Sequence, residues 1–270
     1  MEDLTRHAVI TGATSGIGQA AAVALVRQGW QVTLVGRDPG RLDTALGAVR
    51  TAAAGPEPVG LLADFAQLSQ VRDLAAKLAG QRVDVLANNA GLVARRRVTT
   101  VDGHELTIQT NHLAPFLLAH LLRDQLAPGA RIVNTASMAH SFGTLDPDNL
   151  DRRGGVYSAW LAYGGSKRAN ILFAAEAARR WPDLLSFSFH PGVVRTRFGT
   201  PAARLFYKIG PGIATPEQGA DQLVWLATED PVHLQNGAYY VLRKPTRPHP
   251  SARDPRFAAR LWEASEAAVG

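Results

Sequence analysis

Within the stretch Tyr163-Gly164-Gly165-Ser166-Lys167, a phenol and an amine stand four residues apart. The surrounding pattern predicts a helix from about Val156 to Arg180. Residues four apart on a helix share a face, so the two side chains project together. A free phenol titrates near about 10, too high for a base at neutral pH. A neighbouring cation favours the phenolate, and bringing the value to about 7 takes roughly 4 kcal/mol. A phenol tuned in this way can give or take a proton at working pH. The pair alone is common, and an ordinary exposed helix carries it equally well. Its meaning depends on what the rest of the chain brings to it.

Two further polar residues stand where chemistry is expected. Ala130 to Asn134 reads as a strand, and Ser137 lies just past its end. Ligands of open α/β sheets bind beyond the carboxyl ends of the strands. A strand-end serine is also a common cap, so Ser137 gains weight only from its company. Asn111 falls in a helical pattern from Val101 to Ala127, four residues before a break expected at Pro115.

These residues need a scaffold, and the first part of the chain supplies one. His7 to Ile10 is an apolar strand leading into Thr11-Gly12-x-x-x-Gly16-x-Gly18 and then a helical pattern. Strand, glycine turn and helix in that order let a backbone approach a pyrophosphate at a helix N-terminus. A second strand, Gln31 to Val35, ends at Gly36-Arg37-Asp38-Pro39. A dinucleotide site that takes a free ribose 2′-hydroxyl places a carboxylate at such a strand end. Here the carboxylate is replaced by Gly36, and the guanidinium of Arg37 follows. That exchange favours a 2′-phosphate, and so NADP.

Further strands are expected at Val59 to Ala63, Val83 to Ala87, Leu184 to Phe189 and Ala238 to Leu242, with helices at Arg41 to Ala53, Gln67 to Leu78, Glu217 to Leu226 and Asp254 to about Ala268. Alternation of strand and helix argues for βαβ units, and mostly apolar strands argue for a parallel sheet covered on both faces. Phe142 to Arg153 reads as a surface loop. Pro245 to Pro250 carries three prolines and is expected to hold no regular structure. The segment of about residues 195–216, with Phe198, Leu205, Phe206, Tyr207 and Ile209, has the length and position of a substrate lid.

The 270 residues include 46% hydrophobic and 19% charged types, as in an ordered globular chain. No run of about 18 apolar residues occurs, so no membrane span is expected. The first residues run into a strand without a signal-peptide pattern, and the expected location is cytoplasmic. With no cysteine, disulfide and thiolate chemistry are excluded. The net charge is +6, but the arginines are dispersed, and only Arg95-Arg96-Arg97 forms a run. No nucleic-acid partner is expected from that pattern. The histidines show no metal-ligand spacing.

Taken together, the chain resembles the short-chain dehydrogenase/reductase family. The motifs that carry the resemblance are Thr11-Gly12-x-x-x-Gly16-x-Gly18, Asp64, Asn88-Asn89-Ala90-Gly91, Asn111, Ser137, Tyr163-x-x-x-Lys167 and Pro191-Gly192, in the family's order. Ser137-Met138-Ala139-His140, Ser166-Lys167-Arg168-Ala169-Asn170 and His190-Pro191-Gly192-Val193-Val194-Arg195-Thr196 look closer to its retinol dehydrogenase-like branch. Membrane-bound members of that branch carry an N-terminal anchor, which is not seen here. Many relatives also have a serine where Ala136 stands.

The resemblance implies one Rossmann-type domain over residues 1–270, an α/β doubly wound parallel sheet of about seven strands with helices on both faces. It implies hydride transfer between NAD(P) and an alcohol or carbonyl compound. In that reading Tyr163 is the acid or base, Lys167 tunes it and holds the nicotinamide ribose, Ser137 binds the substrate oxygen, and Asn111 holds a water leading to solvent. Gly12, Ser15, Gly16, Ile17 and Gly18 would surround the phosphates, and Asp64 and Phe65 the adenine. Asn89, Ala90 and Gly91 would lie at the ribose, and Pro191, Val194 and Thr196 at the carboxamide. The expected partner is a small-molecule substrate, and the sequence leaves a homo-oligomer open.

Other readings fit less well. A nucleotide-sugar epimerase shares Tyr-x-x-x-Lys but has a differently spaced glycine turn. A serine hydrolase needs a Gly-x-Ser-x-Gly elbow, which Gly164-Gly165-Ser166-Lys167 is not. A non-catalytic NADP-sensing or interaction protein on the same fold is the alternative from a different class.

Overall fold

The computed structural model describes residues 5–194 and 213–270. Among the described residues eight strands form one sheet: β1 His7–Thr11, β2 Gln31–Gly36, β3 Val59–Leu62, β4 Val83–Asn88, β5 Leu126–Thr135, β6 Leu185–His190, β7 Tyr239–Val241 and β8 Lys244–Pro245. Their spatial order is β3-β2-β1-β4-β5-β6-β7-β8. All neighbours run parallel except β7 and β8. After β3 the chain crosses back to lay β4 on the other side of β1. The strand order thus reverses beside the carboxyl end of β1, where a doubly wound sheet opens a crevice.

The helices are α1 Gly16–Val26, α2 Pro39–Ala52, α3 Leu68–Lys77, α4 Leu106–Ile108, α5 Ala114–Leu121, α6 Ala159–Arg180, α7 Pro216–Thr228 and α8 Pro255–Val269. Side chains alternate across each strand. Ala8, Ile10, Val85, Ala87, Val133, Phe187 and Phe189 pack with α1, α2 and α7 on one face. Val9, Leu86 and Ile132 pack with α3, α5, α6 and α8 on the other. Both faces being covered, the inner strands are mostly apolar, with buried polar exceptions such as Arg131 and Asn134 on β5 and Ser186 and Ser188 on β6. The edge strand β3 departs from this and leaves Val59 and Leu62 half exposed.

Three local expectations are corrected. The helix expected over Val101 to Ala127 is shorter and differently wound. Between α4 and α5, Gln109–Leu113 forms a π-turn, in which Ala114 N–H reaches the Gln109 carbonyl. Pro115 therefore does not break the helix: the wider turn gives its ring room and leaves no α-type bond for its missing N–H to lose. Strand β5 starts at Leu126 rather than Ala130, with a shift of register against β4 between Val83 and Val85.

The proline-rich tail also holds regular structure. Lys244 and Pro245 pair antiparallel with β7, and Pro250–Ala252 forms a 3₁₀ turn. Proline is tolerated at Pro245 because β8 is the sheet edge and its missing donor faces no partner strand. The β7–β8 hairpin turns on Leu242 and Arg243, both at positive φ. Without the usual glycine or asparagine, the sequence gives no sign of it. Gln222 supports the turn, accepting from Arg243 N–H at 2.9 Å and donating to the Tyr240 carbonyl at 2.9 Å.

Candidate active site

Helix α6 starts at Ala159, with Ser158 as its cap, and carries Tyr163 and Lys167 on one face. Lys167 Nζ lies 5.6 Å from the centroid of the Tyr163 ring. The ammonium is buried and donates to the Thr135 carbonyl at 2.9 Å, at the carboxyl end of β5. Among the described residues no carboxylate stands within ion-pair distance of it. Burial lowers its pKa to about 8. It is still mostly charged at neutral pH, and its field falls on the neighbouring phenol with little solvent to screen it.

Asn111 sits in the π-turn and is fully buried. Its Oδ1 accepts from Leu92 N–H at 2.8 Å, and its Nδ2 donates to the Leu92 carbonyl at 2.9 Å and to Ser166 Oγ at 2.9 Å. Ser166 in turn donates to the Tyr163 carbonyl at 2.7 Å. One side chain thus joins the loop after Gly91 to the helix of Tyr163 and Lys167. Asn111 Oδ1 and Lys167 Nζ both lie over Gly91, at 3.2 and 3.5 Å from where a Cβ would stand.

Ser137 begins a 3₁₀ turn, Met138–Ser141, and its Oγ accepts from Ala139 N–H at 3.2 Å. With that N–H as donor, the hydroxyl proton is left to donate elsewhere. The turn and the residues after it press directly onto α6. A Cβ on Gly164 would lie 2.4 Å from the Ala139 carbonyl oxygen, and one on Gly165 would lie 1.9 Å from that of Thr144. On the other side of the contact, a Cβ on Gly143 would meet the Gly164 carbonyl carbon at 1.9 Å. The two glycines between Tyr163 and Ser166 are what let the Ser137 segment reach α6. The sequence carried a signal for this: glycine in a helix interior costs about 1 kcal/mol relative to alanine, and two in succession need a reason.

The glycine turn after β1 is built as a cradle. Gly12 has φ +67, closed to most side chains, and a Cβ on Gly18 would lie 2.6 Å from the Gly12 carbonyl oxygen and 2.7 Å from Asn89 Nδ2. Ser15 caps α1 with an extended backbone and makes no side-chain bond to the helix. Thr11, the first residue of the glycine motif, ties the cradle to the β4 end. Its Oγ1 accepts from Asn89 and Ala90 N–H, both at 3.0 Å, and donates to the Ala87 carbonyl at 3.2 Å. The Asn89 amide donates to the Thr11 carbonyl and accepts from Thr135 Oγ1.

The other expected cofactor residues are spread along the same edge. Ile17 and Val194 both lie against Gly219 of α7. Asp64 follows β3, half-buried, and accepts from Ala66 N–H, while Phe65 is buried in the core of the α3 face. Pro191 is half-buried just after β6. Arg37 is exposed at the end of β2. The space beside it is closed, because a Cβ on Gly36 would lie 2.2 Å from Thr14 Cγ2. A carboxylate at position 36 would require Thr14 to move. Thr196 and most of the 195–216 lid lie outside the described residues. Ala214 pairs with Val194 in a parallel bridge, and Pro216 already begins α7 behind a Thr215 capping box.

A two-lobed site emerges, with a glycine cradle at the β1–α1 turn and a Tyr–Lys–Ser–Asn cluster beyond β5. The family model described as "short chain dehydrogenase" matches residues 6–204. The chain belongs to the short-chain dehydrogenase family of oxidoreductases. It is 51% identical over 268 residues to the protein described as "Putative daunorubicin C-13 ketoreductase DnrU" of Streptomyces sp. (strain C5), covering 98% of this chain and 93% of that protein. It is 34% identical to human retinol dehydrogenase 13, covering 97% of this chain and 84% of that one. Among solved structures, an uncharacterized protein from Mycobacterium Paratuberculosis superposes with a TM-score of 0.82 at 33% identity, covering 99% of this chain and 96% of that one. No helix among the described residues is long and apolar enough to cross a membrane.

Proposed function

We propose that the protein is an NADP-dependent reductase of a hydrophobic ketone, with Tyr163 as the proton donor. The observation that carries this reading is the buried ammonium of Lys167 beside the Tyr163 ring, with no carboxylate among the described residues at ion-pair distance. A buried cation without an anion is costly, and it is retained where it tunes a neighbour. The glycine cradle and the exposed guanidinium of Arg37 suit a dinucleotide bearing a 2′-phosphate. When bound, that cofactor supplies the hydride, and the protein supplies position and electrostatics.

Ser137 donates its hydroxyl proton to the carbonyl oxygen, stabilising the charge that develops there. Tyr163 then delivers its proton to that oxygen. Lys167 stabilises the phenolate left behind and would hold the cofactor's ribose, and Asn111 would anchor the water path that returns a proton. Around this centre Met138, Phe142 and Trp160 expose apolar surface, and Trp160 packs edge-on to Tyr163 with ring centroids 6.0 Å apart. Such a rim suits an apolar, ring-bearing substrate, as does the similarity to the protein described as a "Putative daunorubicin C-13 ketoreductase". The test is oxidation of NADPH and NADH by purified protein with a panel of aliphatic, steroidal and fused-ring aromatic ketones. Turnover of apolar ketones with NADPH supports the reading, and inertness toward the whole panel contradicts it.

A further inference from the structure

Two residues of the branch-specific motifs, His140 and Arg168, take no part in the chemistry above. Both are buried, and they meet. Arg168 follows Lys167 on α6 and donates from Nε and Nη2 to the His140 carbonyl, at 3.2 and 2.9 Å. No carboxylate among the described residues stands within ion-pair distance of the guanidinium. A buried guanidinium spent on one backbone carbonyl is an unusual arrangement, because an ion pair would compensate its desolvation better.

His140 passes the connection on. Its Nδ1 lies 2.7 Å from the Ser137 carbonyl, so Nδ1 must carry the proton and donate. Its backbone N–H donates to the same carbonyl at 3.1 Å. Its Nε2 accepts from the backbone N–H of His249, in the proline-rich tail, at 3.1 Å. The ring also packs edge-on against Tyr239 at 5.1 Å. Both ring nitrogens are therefore engaged in one neutral tautomer.

We infer that Arg168 and His140 are positioning residues: a strut from the catalytic helix through the His140 carbonyl and ring to Ser137, braced from behind by the tail. The glycine contact at Gly143, Gly164 and Gly165 brings the two segments together. It is mostly backbone packing, and the hydrogen bond within it, from Thr144 N–H to the Leu161 carbonyl at 3.2 Å, lies seven residues beyond Ser137 and leaves the Ser137 end to be held by other groups. The guanidinium fork supplies direction and fixes where Ser137 Oγ sits relative to Tyr163. This rests on the reading of Ser137 as the hydroxyl that meets the substrate oxygen.

The experiment compares kcat, substrate KM, NADPH Kd and Tm in Arg168→Met, Arg168→Lys, His140→Phe and Ser137→Ala, with a ketone the wild type reduces. His140→Phe keeps the ring packing and removes both nitrogens, so it serves if Arg168→Met does not fold. Arg168→Met and His140→Phe are expected to lower kcat about 10- to 100-fold, as a misplaced catalytic group does, with NADPH Kd within about threefold of wild type. Arg168→Lys, which keeps one donor, should recover part of the loss. Combined with Ser137→Ala, Arg168→Met should cost less than about threefold more, because two residues acting through one group are not additive. Wild-type kcat in folded Arg168→Met or His140→Phe, with only Tm lowered, would overturn the strut. So would an undiminished loss from Arg168→Met in the Ser137→Ala background. If Ser137→Ala itself leaves kcat unchanged, the reading of the site fails. If Ser137→Ala is crippled and Arg168→Met is not, that reading stands and the strut fails.

Discussion

In the first turn of α1 a side chain on Gly18 would strike the Gly12 carbonyl oxygen at 2.6 Å, and in α6 a side chain on Gly165 would strike the Thr144 carbonyl oxygen at 1.9 Å. Both contacts need glycine, but they differ in what glycine makes room for. The first is shaped by its own residues and by Asn89 and Ala90 at the end of β4, since a Cβ on Gly12 would lie 2.8 Å from Ala90 Cα, and it leads into a helix N-terminus, where an anion is stabilised. The second joins segments some twenty residues apart in sequence, and the room is filled by the protein's own backbone. The first should govern cofactor affinity. The second should govern how the catalytic groups stand to one another, and so the rate.

Substitutions separate the two. Gly165→Ala forces the Thr144 segment away from α6 and carries Ser137 with it. A fall in kcat of about 100-fold is expected, with a stability loss of about 1–3 kcal/mol from overpacking and NADPH Kd nearly unchanged. Steady-state kinetics and a denaturant titration check both parts. Gly18→Ala should do the reverse, weakening NADPH binding by about tenfold or more, or about 1.4 kcal/mol, with kcat at saturating cofactor largely kept. If both variants damaged kcat and Kd alike, the division between the two contacts would be wrong.

A smaller effect is expected at Arg37. The wild type should prefer NADPH over NADH by about 10-fold or more in kcat/KM, from one charge-assisted contact of about 1.5–3 kcal/mol. Arg37→Ala should bring the ratio toward one, and an unchanged ratio would leave Arg37 as a surface residue. Introducing a carboxylate by Gly36→Asp is informative only with Thr14→Ala, which removes the methyl that now fills that space.

The pH dependence is subtler still. Lys167 holds its charge below about 8 and loses it above. The kcat/KM for carbonyl reduction should therefore decline as pH rises through about 8, and Lys167→Arg should carry that limb upward because a guanidinium stays charged. Stability should move the other way. Between the folded value of about 8 and the ordinary 10.5, the unfolded chain holds a proton that the folded chain has released, so this group's contribution to stability rises with pH across that window. A pH–rate profile flat to pH 9.5 or so would contradict the assignment.

Most of the sheet was legible in the sequence because covered strands read as apolar runs and the turns are marked by glycine and proline. The site's local pieces were legible for the same reason: Gly12 to Gly18 is one continuous stretch from the end of β1 into α1, and Tyr163 to Lys167 lies within about one turn of α6. What escaped was set by contacts remote in sequence. The role of Thr11 depends on Asn89 and Ala90, that of Thr14 on Gly36, and that of His140 on Arg168 and the tail. The π-turn that seats Asn111 was read as a break at Pro115, because sequence shows the missing N–H and not the wider winding that accommodates it. The strand at Lys244–Pro245 was missed because its turn runs through Leu242 and Arg243, residues that ordinarily avoid positive φ.

The central claim, that Tyr163 is the proton donor of a carbonyl reduction, is tested most directly by Tyr163→Phe. The ring and its packing against Trp160 stay, and only the hydroxyl leaves. The measurement is kcat for a ketone the wild type reduces, together with NADPH Kd by fluorescence titration. The account predicts a kcat reduced by about 10²-fold or more, in the range of a lost general acid, with NADPH Kd within about threefold of wild type. A Tyr163→Phe protein that binds NADPH and turns the ketone over at a near wild-type rate would contradict it.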